Sequence, residues 1–531
     1  MEDKLESLIS EIKKAANILK LYEGKIRVVS HYDADGICSA SIILKMLTRE
    51  DKPFHLSIIN QLTEEYIRKL GEEGNQFIIF TDLGSGHVED IQKYLLDEKS
   101  IVVICDHHEI QGDIRPENKE RFFLINPIKL GIDGNISGSG VTYLFARAVS
   151  SENVDLSELA VVGAVGDAQT GSIEENWGLS GLNREILKDA QMSGKIKVET
   201  GLRLWGRYTR PIHKALEYSV DPYIPGISGS ESASVHLLQE IGIELKKGDE
   251  WRTLSDLTNE EQKKLATAII KERIRNNEEN PEWIFGDIYE LVDRIQEFRD
   301  ASEFATMLNS CGKMDKGYLG VMLCLNISEV FDEVREVLLN YRREIGRILS
   351  WIENNKDIIK ETDHAVYILG RENIPEHLIS NVASILYKSG MFSEKKPMFA
   401  LSYTEDGRIK VSARASDFLV NNGLSLQEII TKIINEMGGE GGGHKGAAGA
   451  FISRENESRF IEMVERILKR ERYINTDNQE ELISSGDDKD GPAKGEGYSS
   501  GSGREEGGET GNKENSIQKM EGQGLVRYFS S

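Results

Sequence analysis

The 531-residue chain contains no apolar run approaching the ~18 residues that a membrane-spanning helix requires. An integral membrane protein is therefore not expected. Cysteine is scarce: only Cys38, Cys105, Cys311 and Cys324 occur, none in CxxC spacing. That absence excludes a thiolate zinc site and a disulfide framework, and it suits a reducing cytoplasm. No GxxxxGK[ST] phosphate loop is present, nor a Ser/His/Asp order or reactive-cysteine neighbourhood of a covalent hydrolase. The opening MEDKLESLISEIKKAANILK is charged and helix-patterned, unlike a secretory leader. Positive charge is also in short supply, with 65 Lys and Arg against 89 Asp and Glu and a net charge of -24. Such a surface disfavours non-specific adhesion to nucleic acid. It does not exclude a nucleic-acid enzyme, because bound divalent cations and a local basic groove can hold a phosphodiester on an acidic protein.

What is present begins with 39% hydrophobic residues, enough for a sizeable core, over a length that suits two or three domains. Residues 5–22 carry apolar positions at helical spacing. KIRVVS (25–30), QFIIFTD (76–82), SIVVICD (100–106) and RFFLINP (121–127) then read as strands. CSASIILKMLTRE and GHVEDIQKYLLDE read as helices between them. Continuous apolar strands alternating with helices predict a parallel sheet covered on both faces. Ligands gather at the carboxyl ends of such strands. From about 246 to 360 the pattern turns helical and charged, and a second α/β region follows with HAVYILG, MFALSY, IKVSARA and LQEIITKIINEM. Beyond Tyr473, Gly, Ser and charge dominate, a composition that cannot bury enough surface to fold.

The chemistry is expected from His31, Asp33 and Asp35, from Asp82, from the run Asp106-His107-His108, and from Asp167 in AVVGAVGDAQT. Each stop follows an apolar segment, and together they are expected at one edge of one sheet. A lone Asp after a strand is an ordinary turn or helix cap. Four acidic stops, two of them beside histidines, point instead to a metal site. Carboxylate mixed with imidazole suits Mn²⁺ better than Mg²⁺. The ligands suffice for two ions, and a carboxylate shared across about 3.5–4 Å would serve an in-line displacement at phosphorus.

HYDADG, FTDLGSG, CDHHE and GAVGD resemble, in order, the motifs of the DHH phosphoesterase superfamily. GGEGGGHKGAAGAF (438–451) resembles the GGGH motif of the DHH-associated substrate-binding domain. Within the superfamily, the short first motif and long insert look most like archaeal RecJ-like nucleases. These are related to the DHH-derived subunit of the eukaryotic replicative helicase. The resemblance implies that Asp33, with His31 close by, holds one metal. It assigns Asp35, His107 and Asp167 to a second metal and Asp82 to a bridge. His108 would lie against the scissile phosphate or orient a ligand, with Asp106 behind it. In the GGGH region, Gly442, Gly443 and His444 together with Arg414 would grip phosphates beside the scissile one, glycine letting the backbone approach closely.

The expected fold class is α/β. A parallel-sheet catalytic domain (1–245) carries a mainly helical insertion (246–360) that has no metal-type cluster. A smaller α/β DHH-associated domain (361–472) and a disordered linker (473–521) follow. The terminal GQGLVRYFSS (522–531) resembles a PCNA-interacting peptide through Leu525, Tyr528 and Phe529. The preferred reading is a cytoplasmic exonuclease on single-stranded DNA or RNA that depends on two divalent metal ions, Mn²⁺ ahead of Mg²⁺, with replisome partners such as GINS and no membrane. The alternatives are a small-molecule or oligonucleotide phosphoesterase, and a replisome scaffold.

Overall fold

The computed structural model describes residues 2–132, 135–170, 178–219, 222–278, 280–389 and 391–471. The linker at 473–521 and the terminal Leu525, Tyr528 and Phe529 lie outside the described residues. The chain divides into two compact units, one reaching Glu344 and the other beginning at Ile345.

In the first unit, β1 (Ile26–His31), β2 (Phe54–Ile59), β3 (Phe77–Thr81), β4 (Ile101–Cys105) and β5 (Phe122–Ile125) form an all-parallel sheet in the order β2-β1-β3-β4-β5. Side chains alternate faces along a strand, and both faces here are apolar. Val28, Phe77, Ile79, Val103, Cys105, Phe123 and Ile125 enter one core. Val29, Ile78, Phe80, Val102, Ile104, Phe122 and Leu124 enter the other. The first face is covered by α1 (Glu2–Leu21), α2 (Ala34–Arg49), α5 (Gly138–Val149) and α6 (Ser157–Gly166). The second is covered by α3 (Glu64–Glu72) and α4 (Val88–Leu95). The four expected strands are all present. β2 is not legible in the sequence because it is a half-exposed edge, where His55 and Ser57 break up the apolar run.

The expected insertion at 246–360 is not one body. After α7 (Gly181–Met192), β6 (Ile196–Leu202) pairs antiparallel with the strand Phe285–Leu291. The residues between them, from Leu202 to Ile284, enclose a small core of their own that includes Leu216, Leu238 and Ile269. Helices Ala301–Lys313 and Gly317–Cys324 belong instead to the main core, through Phe304, Leu308, Leu319 and Leu323. Helical periodicity shows that a helix has an apolar stripe, but not which core the stripe meets.

The second unit holds a six-stranded mixed sheet. Its order is Ile359–Glu361, Val366–Arg371, Met398–Tyr403, Arg408–Arg414, Ala447–Ser453 and Glu440–Gly443. Helices Leu426–Met437 and Glu457–Glu471 pack on it through Ile429, Ile433, Phe460 and Val464. The glycine-rich stretch is an edge strand here, and Gly439 and Gly443 take φ values of +125° and +137° that favour glycine.

Helix Ala301–Lys313 lies tightly against the loop that leaves β1. A Cβ on Gly312 would run into the Tyr32 carbonyl, and the Asn309 side-chain oxygen accepts the Ala34 N–H at 2.9 Å. Gly312→Ala should therefore destabilise the fold by about 1–3 kcal/mol through overpacking. Gly346→Ala, at an exposed helical position where an added Cβ meets nothing within 4 Å, should stabilise it by up to about 1 kcal/mol. Thermal denaturation checks both, and equal midpoints for Gly312→Ala and the parent would contradict the packing.

Candidate metal centre

Sheet order 2-1-3-4-5 has its switch point between β1 and β3. His31 is the last residue of β1, Asp82 follows β3, and Asp106-His107-His108 follow β4. Asp33 caps α2, its carboxylate accepting the Gly36 N–H at 3.0 Å, and Asp35 sits in the first turn of that helix. Asp167 arrives differently from the sequence expectation: it closes helix α6 and follows no strand. The apolar run before it gave no means of telling a buried helix from a strand.

These residues converge. His31 Nδ1 lies 3.0 Å from Asp33 Oδ2 and 3.4 Å from Asp82 Oδ2. His107 Nε2 lies 3.4 Å from Asp82 Oδ1, 3.7 Å from Asp167 Oδ2 and 3.9 Å from Asp35 Oδ2. Three sets of possible ligands follow, each with atoms within 4.8 Å of one another: His31-Asp33-Asp82, Asp35-His107-Asp167 and Asp82-His107-His108. Asp82 is common to the first and third of these, His107 to the second and third. Both Asp82 carboxylate oxygens, His31 Nδ1 and His107 Nε2 are buried without a well-formed hydrogen bond. Buried polar atoms left this way are costly, and divalent cations on either side of Asp82 would satisfy all four. Asp82 also takes a left-handed φ of +57°, a conformation Asp tolerates better than most residues.

The surrounding groups hold the ligands in place. Asp35 accepts the Gly138 N–H at 2.6 Å and the Ser139 N–H at 3.0 Å at the start of α5, and the Ser139 hydroxyl as well. A carboxylate at a helix N-terminus is favourably placed. Even so, burial and the charges of Asp82 and Asp167 push Asp35 well above the ordinary carboxyl range. Asp167 is raised by burial, with Asp82 and Asp33 adding to the shift, to about 6. The side-chain amide of Gln169 reaches Asp167 Oδ2 at 2.7 Å and His107 Nδ1 at 3.3 Å, and its oxygen accepts from Asn183 at 2.7 Å. Asp106 is held below the ordinary range by the His108 imidazolium, despite full burial. It accepts from Ser85 N–H at 2.9 Å and His107 N–H at 2.8 Å and meets His108 Nδ1 at 2.7 Å. His108, although desolvated, is pushed up to about 9 by Asp106. The carboxylates around His107 outweigh its burial and lift it to about 10.

Gly138, Ser139, Gly163, Gln169 and Asn183 were not legible as parts of the site. A Cβ on Gly138 would enter the Asp82 carboxylate, and one on Gly163 would enter Ser139 and Asp35. The available signal was SGSG ahead of an apolar run, which is the start of α5 with Ser137 as its cap.

In the second unit, Arg414 ends its strand opposite Ala447, whose carbonyl accepts the His444 N–H at 2.7 Å. Gly442 and Gly443 lie in the adjoining edge strand. Arg414 is half-buried, donating to Ser384 Oγ at 2.8 Å and to the carbonyls of Ala413 and Ser380 at 2.8 and 3.1 Å. It meets no carboxylate among the described residues, and burial lowers it to about 10.

The chain matches the DHH family N-terminal domain over residues 25–166, the DHH-CID domain over 204–283 and the DHHA1 domain over 365–470. An uncharacterized protein of Methanocaldococcus jannaschii is 32% identical over 478 residues, covering 88% of this chain and 99% of that one. The single-stranded-DNA-specific exonuclease RecJ of Bacillus subtilis is 25% identical over 279 residues, covering 50% of this chain and 34% of RecJ. In fold, RecJ of Thermus thermophilus in complex with Mn²⁺ aligns with a TM-score of 0.54 at 17% identity, over 87% of this chain and 55% of that one. CDC45 of Entamoeba histolytica aligns with a TM-score of 0.60 at 13% identity, over 87% of this chain and 99% of that one. With these domains in this order and RecJ among its relatives in both sequence and fold, the chain belongs to the DHH superfamily as a RecJ-like member.

Proposed function

We propose that this protein is a divalent-metal-dependent exonuclease that hydrolyses phosphodiester bonds of single-stranded DNA or RNA, acting in replication or repair. The observation that supports this most is the set of buried, unsatisfied Asp82, His31 and His107 atoms among four carboxylates. The B. subtilis relative is named a single-stranded-DNA-specific exonuclease, and the T. thermophilus structure contains Mn²⁺. His31, Asp33 and Asp82 would hold one ion, and Asp35, His107, Asp167 and Asp82 a second. Bound there, Mn²⁺ or Mg²⁺ would polarise a phosphoryl oxygen and make water nucleophilic at neutral pH.

The chain's own groups have separable tasks. Asp35 is pinned by α5, so its oxygens cannot swing toward substrate. Gln169, itself held by Asn183, braces the Asp167 carboxylate beside His107. His108, protonated at neutral pH through Asp106 and half-exposed, is placed to donate a proton to a phosphate or leaving oxygen. In the second unit, Arg414 and His444, with Gly442 and Gly443, would grip a neighbouring phosphate. Arg414 suits this because its charge has no internal carboxylate to neutralise it. A second role as a replisome component, with GINS among its partners, is compatible with a fold that CDC45 of Entamoeba histolytica shares.

The reading is tested with 5′- and 3′-end-labelled DNA and RNA strands and either metal. Stepwise loss of nucleotides from one end is expected. Asp82→Ala should reduce the rate by more than about a hundredfold, beyond the range typical for removing a ligand's supporting partner. Near-normal rates for that variant would contradict the metal assignment. Hydrolysis confined to dinucleotides or small phosphoesters would favour a small-molecule enzyme instead.

Metal binding should also depend on pH with a defined sign. The folded-state value of Asp167, about 6, lies above the ordinary one. Its bound proton therefore stabilises the metal-free fold at low pH, and that stability is lost as pH rises to about 6. A cation needs the carboxylate form. The Tm increase produced by Mn²⁺ should therefore grow between about pH 5 and about pH 8, and a pH-independent increase would contradict the site. For the terminal peptide, Tyr528→Ala with Phe529→Ala should abolish PCNA binding in calorimetry while leaving strand hydrolysis unchanged. Undiminished binding would remove the clamp from the list of partners.

A further inference from the structure

The metal centre accounts for the acidic half of the site but not for a cluster of arginines close to it. Thr170, Arg203, Trp205 and Arg207 line a cavity of about 300 Å³ together with Gly166 and Ala168, the two neighbours of Asp167. All these residues belong to the first unit. Trp205 also faces a second group. The Arg210 guanidinium carbon lies 4.1 Å from its ring centroid and that of Arg342 4.8 Å. Arg210 lies 4.9 Å from the ring of Tyr218, which is exposed. The ring of Trp205 is anchored by its indole N–H, which donates to Thr306 at 3.1 Å.

Two guanidinium groups against one ring repel each other and should recruit a carboxylate. Neither Arg210 nor Arg342 has an ion pair or a side-chain hydrogen bond among the described residues, and Arg342 Nη2 is buried without a partner. Glu303, whose charge acts on both guanidinium groups, is already engaged by the Tyr208 N–H at 3.1 Å and by the Thr209 hydroxyl. Burial and Asp300 raise it to about 7, so it is a poor counter-charge. Asp300 itself is spent capping helix Ala301–Lys313, accepting from Ser302 and Glu303 N–H at 2.9 and 3.0 Å. Burial lowers both arginines, with Arg342 adding to the effect on Arg210. Arg210 and Arg342 thus lack an ion-pair partner among the described residues, on a protein whose net charge is -24.

We infer that Trp205, Arg210, Tyr218 and Arg342 form a binding site for the backbone and bases of a single nucleic-acid strand, continuing from the metal centre. The inference rests on the exonuclease reading and names where that enzyme holds the strand away from the reacting phosphate. A guanidinium fork matches a phosphate bidentately, and an exposed aromatic ring offers a sequence-tolerant stacking surface. The source is legible in retrospect as RLWGRYTR (203–210), a stretch that alternates arginine with aromatic residues.

The test uses the full chain with Mn²⁺ and a fluorescein-labelled oligothymidine whose linkages are phosphorothioates, read by anisotropy across a salt series. Arg210→Gln with Arg342→Gln should weaken binding about tenfold and reduce the slope of log K against log salt by about 1.4, two single-strand phosphate contacts. Should the double variant lose its cooperative thermal transition, Arg342→Gln alone decides, with a slope change of about 0.7. An unchanged slope, with or without weaker binding, overturns the inference and leaves the exonuclease reading standing. A parent protein that binds no strand at all overturns both.

Discussion

Four carboxylates and two imidazoles brought together, with Asp35, Asp82 and His107 buried, constrain the rest of the first unit. Asp35, Asp82 and Asp167 all approach His107 Nε2 within 3.9 Å, and burial, reinforced by the repulsion of neighbouring carboxylates, lifts Asp35 and Asp167 out of the ordinary carboxyl range. Like charges this close and this buried are tolerated only where protons or cations compensate them. The neighbouring carboxylates favour the charged form of His31 and His107, which offsets part of that repulsion. Asp82, with both oxygens unsatisfied, shows that protons and hydrogen bonds alone do not complete the arrangement.

The fold converts that constraint into geometry. Parallel strands end at one edge, so β1, β3 and β4 deliver His31, Asp82 and the Asp106-His107-His108 run side by side. Helix starts do the fine positioning: α2 is capped by Asp33, and α5 donates its first N–H groups to Asp35. Gly138 leaves room for the Asp82 carboxylate at the start of α5, and Gly163 lets α6 approach Ser139 and Asp35. Helix Ala301–Lys313 secures the loop from behind through Asn309 and Gly312. The metal centre is therefore bound into a segment that lies some 270 residues downstream of β1, separated in sequence but not in the core.

Legibility followed physical scale. β1, β3, β4 and β5 could be read because a strand buried on both faces is a continuous apolar run, and the candidate ligands stood out because charge at the end of such a run is conspicuous. β2 could not, since an edge strand is under no such demand. The boundary at 246 failed because the core enclosed between Leu202 and Ile284 is set by the pairing of β6 with a strand more than eighty residues away. Asp167 was identified as a ligand candidate but placed on a sheet edge, because a short buried helix such as AVVGAVG lacks a polar face to reveal its period. Gln169 and Ser139 act only through their neighbours, and nothing in their local sequence marks that.

The account stands on divalent cations satisfying the Asp82, His31 and His107 atoms. Anomalous diffraction at the manganese edge, from crystals grown with Mn²⁺, tests this most directly. It should show two peaks that share an Asp82 carboxylate, one also ligated by His31 and Asp33 and the other by Asp35, His107 and Asp167. A map with no peak in contact with Asp82 would contradict the account.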